Sequence, residues 1–143
     1  MQKIDPTSTI FYTIENAIKT YRKYVQKKLS AVADGITVDQ MMILATLDEN
    51  LGMAQNEIAD LVFKDHASVT RIIELLVKND YLTRSINEAD RRKFNLHISA
   101  KGHATLKLLK PVIYQNRKDA LRGVSETEVN QLFTILNKII HNC

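Results

Sequence analysis

The chain has 143 residues, of which 45% are hydrophobic and 25% charged, a balance that supplies a packed core and excludes a wholly disordered chain. Twenty Lys and Arg stand against sixteen Asp and Glu, a formal net charge of +4 that hints mildly at a polyanionic partner. No run approaches the roughly 18 apolar residues a membrane-spanning helix needs, so no membrane partner is expected.

Residues 1–6 contain Lys3 and Asp5 and lead into no short apolar run; no secretory signal is expected, and a cytoplasmic location follows. The single cysteine, Cys143, is the last residue. One thiol forms neither an internal disulfide nor a cysteine-based metal site, and Cys143 reads as a frayed terminal group. The charge excess is unevenly placed. Residues 53–99 carry seven Lys/Arg and seven Asp/Glu, whereas residues 1–35 carry six against three and residues 100–143 seven against three. Bulk charge alone therefore does not establish nucleic-acid binding.

Asp5-Pro6 reads as a cap followed by a first-turn proline. Ile10, Ile14, Ala17/Ile18, Tyr21, Val25 and Leu29 then recur every three or four residues, which predicts a long amphipathic first helix ending before Gly35. Its other face carries Lys19, Arg22, Lys23, Lys27 and Lys28. Thr37-Val38-Asp39-Gln40 has the form of a capping box. The helix it opens, through Met41, Met42, Ile43, Leu44, Ala45 and Leu47, is apolar nearly all round and should be the most buried.

Two short helices follow, about Gln55–Val62 and His66–Asn79, the second capped by Asp65. Helices joined by so short a turn form a helix-turn-helix. After Asn79-Asp80 the period changes to two. Leu82, Arg84 and Ile86, then Phe94, Leu96 and Ile98, define a β-hairpin with the charged tip Asn87–Lys93. Ser99 caps a helix from Ala100 to about Arg122, in which Pro111 should introduce a kink near residues 107–111. Ser125-Glu126-Thr127-Glu128 is a second capping box, opening a helix with Val129, Leu132, Phe133, Leu136, Ile139 and Ile140 on one stripe.

The expected fold is mainly α with a small β-hairpin wing: a winged helix-turn-helix lobe (36–99) between an N-terminal dimerisation helix (1–35) and C-terminal dimerisation helices (100–143), forming one intertwined domain. The end helices carry apolar stripes too long for so small a core, which points to a homodimer.

A recognition helix must present short polar or basic side chains on its first turns, because these enter the major groove. His66, Ser68, Thr70 and Arg71 satisfy this, and Gln55, Asn56 and Lys64 are candidates for the DNA backbone. A wing entering the minor groove needs a narrow arginine-bearing tip. Arg91, Arg92 and Lys93 cluster there, and Asp90, two residues before Arg92, is placed to hold its guanidinium extended.

Residues 36–103 resemble the DNA-binding lobe of the multiple-antibiotic-resistance regulator (MarR) family of bacterial repressors. The resemblance rests on Gln55-Asn56-Glu57-Ile58-Ala59, Ser68-Val69-Thr70-Arg71 with Asp65 ahead of it, Tyr81-Leu82-Thr83-Arg84, Asp90-Arg91-Arg92 and Ser99-Ala100-Lys101-Gly102. It implies that Arg92 is the minor-groove arginine with Asp90 its orienting partner. It also implies a homodimer on a pseudo-palindromic operator in double-stranded DNA, often released by a small, commonly aromatic, effector. Three positions depart from the family pattern. Ala54 stands where a threonine usually caps, Phe63 fills a turn often held by glycine, and Asp80 replaces the usual glycine after the recognition helix.

Peroxide-sensing members use a cysteine near the start of the first helix, which is absent here, and zinc-sensing members use a histidine pair four apart after the wing, where this chain has His103 and Lys107. His66, His97, His103 and His141 are scattered, so no metal and no cofactor are expected beyond a small aromatic effector. Its candidate cleft, between the first two helices and the start of the fifth, would be lined by Ile14, Ile18, Tyr21, Met41 and Leu44. No phosphate-cradling loop and no Cys–His pair is present, so the chain is not read as an enzyme. The competing function is a winged-helix module that binds protein without specific DNA binding.

Overall fold

The computed structural model describes residues 4–143; residues 1–3, which include the Lys3 of the terminal segment read as lacking a signal, lie outside the described residues. In chain order it has α1 (Ile10–Val32), α2 (Val38–Glu49), α3 (Gln55–Leu61), α4 (His66–Lys78), β1 (Leu82–Ile86), β2 (Phe94–Ile98), α5 (Ala100–Ala120) and α6 (Glu126–Asn142). This is the mainly α, winged helix-turn-helix order that the periodicities predict.

The caps do most of the boundary setting. Thr37 and Gln40 form the reciprocal box at α2, and Ser125 and Glu128 the one at α6. Asp65 accepts the Ser68 amide at 2.8 Å and Ser99 the Gly102 amide at 3.0 Å. Only the N-terminus departs from expectation. Asp5 closes a 3-10 turn over Pro6–Ser8, accepting from the Thr7 amide at 3.0 Å and its hydroxyl at 2.7 Å. The α-helix proper starts after Thr9, whose hydroxyl accepts the Tyr12 amide at 3.2 Å. Two residues able to cap lie four apart, and the carboxylate is spent locally.

Helix α2 is central, with six of its 12 residues buried. Ile43, Leu44 and Leu47 meet Val25 and Leu29 of α1, Ile58 of α3, Val69, Ile73 and Leu76 of α4, and Leu106 and Leu109 of α5 in one cluster. The hairpin is antiparallel in the register Leu82↔Ile98 through Ile86↔Phe94. Leu82 and Leu96 enter the core, whereas Ile86 and Phe94 at the far end are exposed, so the wing is anchored at its root and projects from it. Pro111 lies inside α5, exposed, and the helix continues through it.

Both helices of the helix-turn-helix end the same way. After α3 the Phe63 amide bonds to the Asp60 carbonyl and the Lys64 amide to that of Ala59; after α4 the Asp80 amide bonds to Val77 and the Tyr81 amide to Leu76. These are Schellman caps, whose third member adopts left-handed backbone and is usually glycine. Phe63 and Asp80 hold φ of 56° and 63°, so two of the three departures from the family pattern fall on the positions that need a glycine-like residue. Asp tolerates this geometry better than an aromatic does. Phe63 gains nothing in exchange, being 93% exposed. Phe63→Gly is therefore expected to raise stability by about 0.5–1 kcal/mol, the relieved strain less the extra chain entropy of glycine; an unchanged or lower denaturation midpoint would contradict it.

Helix α6 buries none of its side chains fully. Leu132, Phe133, Ile135 and Ile140 are exposed, as are Ile10, Phe11, Tyr12 and Ile18 on the first half of α1. These two helices carry apolar surface far in excess of what one protomer covers.

Candidate nucleic-acid interface

The wing tip is built by three side chains. Asn87 accepts the amides of Ala89 (2.9 Å) and Asp90 (3.1 Å), folding the chain back on itself. Asp90 then accepts the backbone amide of Arg92 at 3.1 Å and its Nε at 3.2 Å. The loop is closed by Lys93 N to Asp90 O (2.9 Å) and Asn87 N to Lys93 O (3.1 Å). The Arg92 side chain stays 91% exposed, held at its base while its far end points to solvent. The Arg92 guanidinium, and then its amide, hold the Asp90 carboxyl below its ordinary pKa. A depressed value means the contact is in place at neutral pH and is lost only as acid protonates the carboxylate. Arg91 and Lys93 are exposed beside it. Arg84, further down β1, is not free in this way, since its guanidinium lies 4.9 Å from the centre of the Phe94 ring.

On α4, Arg71 and His66 are exposed, but two other predicted contacts are engaged internally. The Ser68 hydroxyl donates to Asp65 at 2.8 Å. The same residue's amide, and then its hydroxyl, hold the Asp65 carboxyl low. The Thr70 hydroxyl donates to the His66 carbonyl at 2.8 Å and accepts from Gln55 Nε2 at 2.6 Å. Gln55 and Thr70 thus tie α3 to α4. Asn56 is exposed. Lys64 lies 3.1 Å from Asp39, a carboxylate that also pairs with Arg22 of α1; this ammonium joins the turn to α1 and α2.

Of the five residues of the expected effector cleft, Tyr21 packs against the core cluster that holds Met41 and Leu44. Met41 and Leu44 are core residues, Ile14 and Tyr21 are half-buried, and Ile18 is 55% exposed. A groove of about 810 Å³ lies between α1 and the end of α5. Tyr21, Tyr24, Asn16, Asp119 and Arg122 are among its walls, and Tyr24 donates to Asp119 at 3.3 Å. Of the five, Tyr21 alone reaches it. Among the described residues no helix is long and apolar enough to cross a membrane, and no three metal-binding side chains converge.

Sequence reasoning missed Asn87, although an asparagine leaving a strand is itself a turn signal. It also missed the Arg22–Asp39–Lys64 cluster, which joins residues far apart in sequence and has no local signature.

The MarR family model matches residues 34–93. The transcriptional repressor MprA of Escherichia coli (strain K12) is 29% identical over 110 residues, 76% of this chain and 62% of that protein. The S. aureus MepR–DNA complex superposes with a TM-score of 0.86 at 20% identity, covering 94% of this chain and 98% of that one. Bordetella bronchiseptica BpsR, whose DNA binding is regulated by 6-hydroxynicotinic acid, gives a TM-score of 0.85 at 20% identity over 96% and 97% of the two chains. The matched span holds the helix-turn-helix and the ordered Asp90–Arg92 tip, the outer helices follow the same fold as these structures, and over residues 34–93 the chain is similar to the MarR family.

Proposed function

We propose that this protein is a sequence-specific, double-stranded-DNA-binding transcriptional regulator, a repressor acting as a homodimer on a pseudo-palindromic operator. It is a regulator and not an enzyme, and a cytoplasmic location goes with this reading. The observation that carries it is the wing tip, where Arg92 is oriented by Asp90 yet almost wholly exposed. A salt bridge spent on the fold would be sheltered. This one presents a cation, with Arg71 exposed on the helix that precedes the hairpin. Arg92, with Arg91 and Lys93, is assigned to the minor groove, and Arg71 with His66 to the major groove.

The dimer reading rests on the apolar faces of α1 and α6 that one protomer leaves uncovered. On this reading residues 1–35 and 100–143 make the dimer and residues 36–99 meet DNA. Two symmetric lobes read half-sites about 34–36 Å apart, one helical turn of DNA. Release by a small aromatic effector is supported by the α1–α5 groove and its tyrosines. A titration of the protein–operator complex with aromatic carboxylates tests that part, and undiminished binding throughout the series argues against it.

The main test is binding measured against salt on a genomic site selected by the protein. A dimer making 6–10 phosphate contacts loses about 10³–10⁵ in affinity between 50 and 200 mM salt, while preferring its site over scrambled duplex. A flat salt response favours the protein-binding winged-helix alternative, and a steep slope without site preference indicates a DNA-coating protein.

A further inference from the structure

The outward face of α4 is fixed by its inward one. Val69, Ile73 and Leu76 are completely buried, and at 3.6 residues per turn the positions opposite them are Ala67, Arg71, Glu74 and Lys78. All four are exposed. Ser68 and Thr70 lie on the flanks of this stripe with their hydroxyl hydrogens already donated to Asp65 and to the His66 carbonyl. The first turns of such a helix are the part that meets base edges, which narrows the stripe to Ala67 and Arg71. Glu74 and Lys78 continue it beyond the groove-facing turns.

We infer that Ala67 is a specificity-determining residue, its methyl group reading the C5-methyl of a thymine close to the guanine that Arg71 reads. The inference rests on the DNA-binding reading above. Thymine is the base that offers a methyl in the major groove, and a small apolar side chain is its natural complement. Ala67 has no polar atom to satisfy, so its exposed side chain offers DNA only shape and an apolar surface. A longer side chain there would hold the helix away from the bases. Residues four apart lie about 6 Å apart along the helix axis, and successive base pairs are about 3.4 Å apart. The thymine and the guanine are therefore about two base-pair steps apart.

Duplexes selected from a random pool by the full-length protein supply the site, and the guanine whose preference is lost in Arg71→Ala supplies the reference point. Uracil, which lacks only the methyl, is then substituted for each thymine within three steps of that guanine. At one position the wild type is expected to bind about three- to fivefold more weakly, the effect of one buried methyl, while Ala67→Gly binds uracil and thymine sites equally. A uracil penalty that survives in Ala67→Gly, or none at any of these thymines, overturns the assignment and leaves the regulator reading standing, because the selected site persists. A changed base preference in Ser68→Ala also overturns it. A wild-type selection that returns no preferred site overturns the regulator reading itself and this one with it.

Discussion

Gly102→Ala is expected to lower the free energy of unfolding by about 2–3 kcal/mol, the upper range for forcing an extra methyl into a packed site. A Cβ at this position would stand 2.4 Å from the Tyr81 carbonyl oxygen and 2.6 Å from Ile98 Cγ2. The first of these is backbone, and it is committed: the Tyr81 carbonyl accepts the Ser99 amide at 3.1 Å, the bond that closes the root of the hairpin against the start of α5. Lys101 tightens the same corner by donating to the Asn79 carbonyl at 2.7 Å and lying 4.4 Å from the centre of the Tyr81 ring. Nothing soft is available to yield, so the hairpin and helix must part. Thermal unfolding should show a midpoint about 5–10 °C lower. Gly35→Ala is the control: Gly35 sits at φ 81° with nothing within 4 Å, so its cost is left-handed strain alone, about 1 kcal/mol. If the two variants lose equal stability, the close approach at Gly102 is not what constrains that position.

Arg92→Ala is expected to weaken operator binding by about 1–3 kcal/mol, or 5- to 150-fold, the range for one good groove contact. The side chain is held at one end and free at the other, so binding need not first order it, and its removal loses contact and preorganisation together. Asp90→Asn should cost less, since it keeps the guanidinium but loses the charged acceptor that aims it. Dimer mass and thermal stability should stay as in the wild type, because the tip lies outside the core. Superimposable titration curves for Arg92→Ala and wild type would remove the wing from the interface.

Most of the architecture was legible because it is written in local signals. Thr37 with Gln40, Asp65, Ser99, and Ser125 with Glu128 each mark a helix start through hydrogen bonds spanning three residues. The change of period at residue 82 marks the hairpin just as directly. Asp90 and Arg92 were readable for the same reason, since the contact spans two residues. Illegible were the pairings that the fold creates. Nothing near Lys64 announces Asp39, and nothing near Thr70 announces Gln55. The effector cleft was hard to read for a related reason. Apolar spacing does not distinguish a residue that lines a groove from one that fills the core, and Met41 and Leu44 fill the core. Gly102 stood in the sequence only as part of a family resemblance; the fold supplies its physical reason, a backbone contact too close for any side chain.

The uncovered stripe of α6 also bears on how the regulator responds to its own abundance. In the proposed dimer, a helix that fully buries no side chain within its own protomer takes its hydrophobic stabilisation from a second chain, so folding and pairing become linked equilibria governed by protomer concentration. When most protomers are single, the paired form that spans both half-sites grows with the square of the amount present. Operator occupancy then rises more steeply than in simple proportion, and a modest change in synthesis or turnover sharpens into a larger change in transcription.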